Sequence, residues 1–324
     1  MTDPDAPRVS VSIVIRTKDR RALLAEALAS VAAQTHRPVE AVVVNDGGAD
    51  VADVVSSFAD RLEVRLVDLR PGRGRSAAAN AGIAAAHGEW IGFLDDDDLL
   101  VPGGLATLVA AAGGDACVPY GRVDAYFRPQ DAPPRLFRVF SRPFDIHAML
   151  FENFIPFNAC LIPAATLREI GGLDERLECF EDWDLFLRLS DRLQFRHVDV
   201  QVAEYRIFDQ AFITGRGGQE RQHLGRVAIF AKHARRYTPD AISRMQYNAK
   251  TEPHPAERVA AELQARLADR DARLAAAYAQ LAAASGELAE VRGALGTLDA
   301  RLRAVESSRA WSLYQGLRRL LGRR

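Results

Sequence analysis

Four consecutive aspartates, Asp95 to Asp98, follow the apolar run Trp90-Ile91-Gly92-Phe93-Leu94 and are the strongest chemical signal in the chain. Carboxylate oxygens are hard ligands. Such a cluster suits Mg²⁺ or Mn²⁺, which take one or two carboxylates and complete their shells with water and substrate phosphate. The local alternative is a solvated turn, or a helix start with Asp98 as cap ahead of Leu99-Leu100-Val101-Pro102. A second acidic group, Glu181-Asp182-Trp183-Asp184, opens an amphipathic stretch that runs to Leu189. Carboxylates there complement a helix dipole, or supply a proton acceptor. Two further polar groups, Arg16-Thr17-Lys18-Asp19 and Asn45-Asp46-Gly47-Gly48, each end an apolar run.

These groups need a scaffold that brings them together. Apolar runs at 9–15, 39–44, 63–67 and 90–94 alternate with helical patterns at 22–33, 52–59 and 76–86. That rhythm implies an α/β fold, with a mainly parallel Rossmann-like sheet flanked by helices. Ligands of such sheets sit beyond the carboxyl ends of the strands. Residues 119–157 are rich in aromatics and prolines without clear period, and read as irregular strands and loops shaping a pocket. Residues 154–163 read as another strand, and 214–219 as a glycine-hinged lid or a plain loop.

With 324 residues and 48% hydrophobic content the chain can bury a full core, and a net charge of −1 argues against a nucleic-acid binder. Three cysteines, Cys117, Cys160 and Cys179, form no CxxC pair, which points to a reducing compartment. Beyond about residue 237 the composition shifts to alanine, arginine, glutamate and leucine. Leucines recur every seven residues at Leu267, Leu274, Leu281, Leu288, Leu295 and Leu302, with Ala277, Ala284, Val291, Leu298 and Val305 three further on. This is the seam of an α-helical coiled coil, and a homodimer or homo-oligomer is expected through it. The last stretch, 307–324, places Trp311, Leu313, Tyr314 and Leu317 among arginines, as a basic amphipathic helix does at an anionic membrane surface or on a partner protein. The expected layout is a flexible segment 1–8, a catalytic domain 9–235, a linker 236–256, a coiled coil 257–306 and the basic helix 307–324.

The pieces Val11-Ser12-Ile13-Val14-Ile15, Ala33-Gln34-Thr35, Val42-Val43-Val44-Asn45-Asp46-Gly47, Ser76-Ala77-Ala78-Ala79-Asn80-Ala81-Gly82-Ile83, Gly88 through Asp98, and Glu181-Asp182-Trp183-Asp184 stand in one order. Over roughly residues 8–235 the chain resembles the inverting family-2 glycosyltransferases of GT-A fold, and the ordered set is far more specific than any one motif. The resemblance implies a nucleotide-diphospho-sugar transferase moving a sugar from a UDP- or dTDP-linked donor to a hydroxyl of a glycan or lipid-linked acceptor, in cell-surface polysaccharide synthesis. By the same resemblance, Asp46 binds the nucleotide base, and Arg16, Thr17 and Asp19 line the nucleotide-sugar site. The DXD element falls on Asp95, Asp96 and Asp97. Asp97 and Asp95 turn to the Mg²⁺ or Mn²⁺ ion, Asp96 to the ribose or a metal-bound water, and Asp98 is left as a cap. The general base falls on Asp182, with Glu181 its rival.

The chain departs from the family pattern at several positions. Arg16 and Lys18 stand where a proline and a tyrosine are common, Ala79 where an arginine is frequent, and Phe208 where many relatives carry histidine. A basic partner for the diphosphate is then sought at Arg75 or Arg73. Two other function classes compete: a nucleotidyltransferase, which would carry a glycine-rich basic loop after the first strand, and a non-catalytic assembly subunit with a degenerate transferase domain. The expected location is cytoplasmic, peripheral at the inner face of the cell membrane.

Overall fold

The computed structural model describes residues 10–129, 132–208, 216–251 and 255–321. The expected N-terminal segment 1–8 and the start of the 214–219 stretch lie outside the described residues. Four parallel strands lead the chain: β1 (Val11–Thr17), β2 (Val39–Asp46), β3 (Glu63–Leu69) and β4 (Trp90–Asp95), in the order β3-β2-β1-β4. Helices α1 (Arg21–Ala32), α2 (Ala52–Ser56) and α3 (Arg75–Ala85) make the crossovers. β1 and β2 are buried almost end to end, which is why they read as unbroken apolar runs. α1 turns Leu24, Ala27, Leu28 and Val31 inward at helical spacing. α3 is made of small residues because it lies close on the sheet: a Cβ at Gly82 would come within 2.3 Å of Val14 Cγ1.

A second sheet has the order β5-β9-β6-β7, built from β5 (Leu99–Leu100), β6 (Cys117–Phe127), β7 (Arg135–Phe140) and β9 (Gln194–Ile207). Interspersed in sequence among the strands of this second sheet lie α4 (Gly104–Ala112), α5 (Ile146–Phe151), β8 (Ile162–Pro163), α6 (Ala164–Glu169) and α7 (Glu181–Leu189). The segment expected to be irregular is therefore largely strand and helix. β6 is central and buried for most of its length, so it shows no alternation to read. The strand expected over 154–163 shrinks to β8, antiparallel on β4. Before it a 3₁₀ turn at Phe157–Ala159 stacks Phe157 on Phe93 with ring centroids 3.9 Å apart.

Helices α8 (Arg216–Lys232) and α9 (Pro239–Thr251) follow β9. Residues 236–256 are thus mostly helix rather than a linker. α9 buries Ala241, Asn248 Nδ2 donates to Asp145 Oδ1 at 3.2 Å, and the Tyr237 hydroxyl just before the helix donates to the Leu150 carbonyl at 3.1 Å. The chain divides into two units, 1–259 and 260–324. The second comprises most of the 52-residue helix α10 (Pro255–Glu306), then α11 (Arg309–Leu321). Among the described residues no helix is long and apolar enough to cross a membrane.

Candidate active site

Parallel pairing puts the carboxyl ends of β1, β2 and β4 side by side, with Arg16 opposite Asp95 and Thr17 opposite Asn45. The polar groups that end these runs therefore converge. Asp46 does not simply cap a turn: its carboxylate accepts from the backbone N–H of Arg73 at 2.6 Å and of Gly74 at 3.0 Å, fixing the loop ahead of α3. That approach needs glycine on both sides. Gly47 has φ +75°, and a Cβ on it would lie 2.5 Å from Gly72 N, while one on Gly72 would lie 2.4 Å from the Asp46 carbonyl oxygen. Asp19, at φ 57°, ties the same rim by accepting from Ala49 N at 2.8 Å.

The four aspartates point in different directions. Asp95 is held by Arg16 Nη2 at 2.5 Å and Arg75 Nη2 at 3.4 Å. Burial pushes its carboxyl up, but Arg16 and then Arg75 outweigh burial and hold it below the ordinary carboxylate range. Asp96 is buried, accepts from Thr17 Oγ1 at 2.7 Å and meets Arg20 Nη1 at 3.2 Å; burial still raises its pKa. Asp97 accepts from the same Arg20 at 2.7 Å, and burial followed by the Asp95 charge pushes it up.

Asp98 differs from expectation. It caps no helix, because β5 follows it directly and α4 begins only at Gly104. Its carboxylate is buried and accepts from Arg206 N at 2.9 Å and Asn158 Nδ2 at 2.9 Å, which joins the aspartate turn to β9 and to the 157–159 turn. Burial, then the Asp95 and Asp97 charges, push its pKa well above the ordinary value. Carboxylate oxygens of Asp95, Asp97 and Asp98 lie within 4.8 Å of one another. Beside them, Asn158 Oδ1 is buried with no donor among the described residues. Three crowded carboxylates, two of them pushed toward their neutral forms, and an unmet carbonyl acceptor are a donor set that fits a hard divalent cation.

On the other side of Arg16 stands α7. The same guanidinium that grips Asp95 donates through Nη1 to Glu181 at 3.0 Å, and Arg75 Nε lies 3.6 Å from that carboxylate. Burial opposes the charge on Arg16, yet Asp95 and Glu181 more than offset it and raise its pKa, so the bridge stays ionic. Glu181 is therefore committed to arginine. Asp182, one residue on, has no cation hydrogen-bonded to it among the described residues: it accepts from Asn153 Nδ2 at 2.8 Å and from Trp183 N at 2.8 Å. Burial, reinforced by the Glu181 charge, pushes its pKa up to about 7. A carboxylate poised there accepts a proton at neutral pH and is basic enough to hold it. The helix is anchored from behind, where Trp183 Nε1 donates to the Met149 carbonyl at 2.6 Å and buried Asp184 takes Arg188, Lys232 and His233.

Residues 12–170 match the model of Glycosyl transferase family 2. Over 204 residues the chain is 32% identical to the PGL/p-HBAD biosynthesis glycosyltransferase of Mycobacterium bovis (strain BCG / Pasteur 1173P2), covering 61% of this chain and 77% of that one. The chain belongs to glycosyl transferase family 2. A further relative, the uncharacterized glycosyltransferase YwdF of Bacillus subtilis (strain 168), is 27% identical over 225 residues, 68% of this chain and 83% of that one. The fold of this glycosyltransferase is shared by S. aureus TarS 1-349 in complex with UDP-GlcNAc, with TM-score 0.51 and 18% identity over 68% of this chain and 66% of that one. The mannosyltransferase PcManGT from Pyrobaculum calidifontis, in complex with GDP-Man and Mn2+, also shares it, with TM-score 0.50 and 19% identity over 82% of this chain and 81% of that one. Membership of this family favours glycosyl transfer over nucleotidyl transfer.

Several residues of the candidate site carried no sequence signal. Arg20, just past the polar group 16–19, spans Asp96 and Asp97. Asn153 and Asn158 lie in a stretch without period, and only the fold carries them to Asp182 and Asp98. Phe208, in the histidine position, lies under Arg206 with the guanidinium carbon 5.3 Å from the ring centroid.

Proposed function

We propose that this chain is a metal-dependent inverting transferase that moves a sugar from a nucleotide-diphosphate donor to a hydroxyl of a glycan or lipid-linked acceptor in cell-surface glycan synthesis. The observation that carries the reading is the Arg16 bridge: one buried guanidinium links Asp95 of the acidic cluster to Glu181, next to a poised Asp182. It sets the distance between the place where a diphosphate leaves and the place where a proton is taken. The relatives lend support: one is named for PGL/p-HBAD biosynthesis, and the structural neighbours hold UDP-GlcNAc, or GDP-Man with Mn2+.

Asp95, Asp97 and Asp98 would hold Mg²⁺ or Mn²⁺. When bound, such an ion supplies Lewis-acid charge neutralisation to the departing nucleotide diphosphate. The chain's own groups do the rest. Asp46, whose Oδ2 accepts one backbone N–H, keeps a lone pair for the imide N–H of uracil or thymine. Arg75, more than half exposed at the start of α3, is free to swing from Asp95 to a phosphate oxygen. Asp182 takes the acceptor's hydroxyl proton as that oxygen bonds the anomeric carbon from the face opposite the leaving phosphate oxygen, which inverts the centre. Asn153 holds the Asp182 carboxylate on line. For location, we propose that the protein works at the inner face of the membrane, with the basic helix α11 as its contact.

Thermal shift with UDP, dTDP and GDP sugars, with and without Mn²⁺, tests the reading. A nucleotide-diphosphate shift that needs metal and vanishes in Asp97→Ala is expected, with an inverted product that Asp182→Asn does not form. No metal-dependent shift with any nucleotide sugar overturns it.

A further inference from the structure

The helix α10 runs unbroken for 52 residues and carries an apolar seam along one side. Leu267, Leu274, Leu281, Leu288, Leu295 and Leu302 repeat at seven, which makes them a positions; Leu263, Ala277, Ala284, Val291, Leu298 and Val305 are then d positions. Their large members are each between 45% (Leu263) and 67% (Leu298) exposed. A leucine stripe left in water this long demands cover. The helix-weakening glycines stay out of its way: Gly286 and Gly293 fall at f and Gly296 at b, and none has a neighbouring atom that a Cβ would meet.

The flanking charges say what covers it. In a parallel, in-register pair of heptad helices, each g residue faces the e residue five positions on in the other chain, and these pairs set partner and orientation. Here g and e put Arg266 against Asp271, Arg273 against Tyr278, Gln280 against Ser285, Glu287 against Arg292 and Ala294 against Asp299. A sixth pair, Arg301 against Glu306, is also of opposite charge, so three of the six pairs are oppositely charged and none is of like charge. Arg270 is the one charge at a d position, and Asp271 of its own helix already holds its Nη2 at 2.9 Å. Such a polar core residue lowers stability and pins register.

We propose that α10 pairs with α10 of a second copy of this chain as a parallel, in-register, two-stranded coiled coil. Parallel pairing has a consequence for the end of the chain. Residues 307–324 hold five arginines and no acidic residue, and the pair delivers both sets to the same end.

The test uses the full chain and is independent of its sugar chemistry. Sedimentation equilibrium should give a mass of two chains, and Leu274→Asp with Leu281→Asp should give one. In a Cys179→Ser background, where Cys117 and Cys160 are buried, Leu281→Cys should oxidise to a covalent dimer between equivalent positions. Glu287→Arg should weaken the dimer by roughly threefold to thirtyfold, because it sets two like-charged pairs across the seam. Adding Arg292→Glu should restore it to within about twofold. A mass other than two chains overturns the proposal. So does cross-linking only between Leu267→Cys and Val305→Cys chains, which marks an antiparallel pair, or failure of the double charge swap to restore what the single one lost.

Discussion

The pH dependence of kcat/KM reports directly on Asp182. With its pKa pushed up to about 7, the carboxylate gains or loses its basic form across the neutral range. Only that form takes the acceptor proton, so kcat/KM should fall about tenfold per unit below pH 7 and level off above about pH 8. From pH 8 to pH 5 the expected drop is roughly a hundredfold; a carboxylate of ordinary pKa would leave the profile flat there. The perturbation that isolates the cause is Glu181→Gln, which removes the neighbouring negative charge and should move the acidic limb to lower pH. Asp182→Asn should cost about 10²- to 10⁴-fold at pH 8. It should stay folded, losing about one hydrogen bond, to Asn153 or Trp183, while shedding a buried charge. The assay is initial-rate transfer from pH 5 to 9, with circular dichroism to confirm folding. A flat native profile, or a folded Asp182→Asn enzyme within about threefold of native, refutes this account of the base.

Other perturbations have equally definite outcomes. Arg16→Ala leaves Asp95 and nearly buried Glu181 without their shared partner, and denaturant unfolding of the catalytic unit should show a loss of about 3–5 kcal/mol. Asp184 has its pKa lowered to about 2: burial raises it, but His233, Lys232 and Arg188 outweigh burial. Its contribution of about 2–3 kcal/mol is present above the unfolded carboxyl's pKa near 4 and is lost as pH falls through about 2. Asp184→Asn should therefore destabilise at pH 7 and cease to matter near pH 2, as urea midpoints across pH will tell. Deleting residues after Ser308 should abolish co-sedimentation with anionic vesicles while leaving transfer to a soluble acceptor intact. Undiminished vesicle binding sinks the membrane role of α11.

The βα rhythm was legible because parallel strands buried on both faces are apolar runs and their crossovers are periodic helices. β6 escaped notice for a related reason: in the middle of the second sheet, among aromatics and ahead of prolines, burial on both sides erases alternation. Residues 236–256 read as a linker because α9 is polar over most of its surface and buries little beyond Ala241.

Residue type and local order alone determined that this chain carries aspartates at a strand exit, an acid-rich helix start and a heptad seam, since each is a property of neighbours in sequence. Their division of labour was decided only by tertiary structure. Asp98 and Asp97 are adjacent and chemically identical, yet one is buried against β9 and Asn158 while the other meets Arg20 at the rim. Glu181 rivals Asp182 for proton transfer until Arg16 arrives from a strand 165 residues away and claims the first. A carboxylate's role follows from its desolvation and its nearest cation, and both are set by chain segments far apart in sequence.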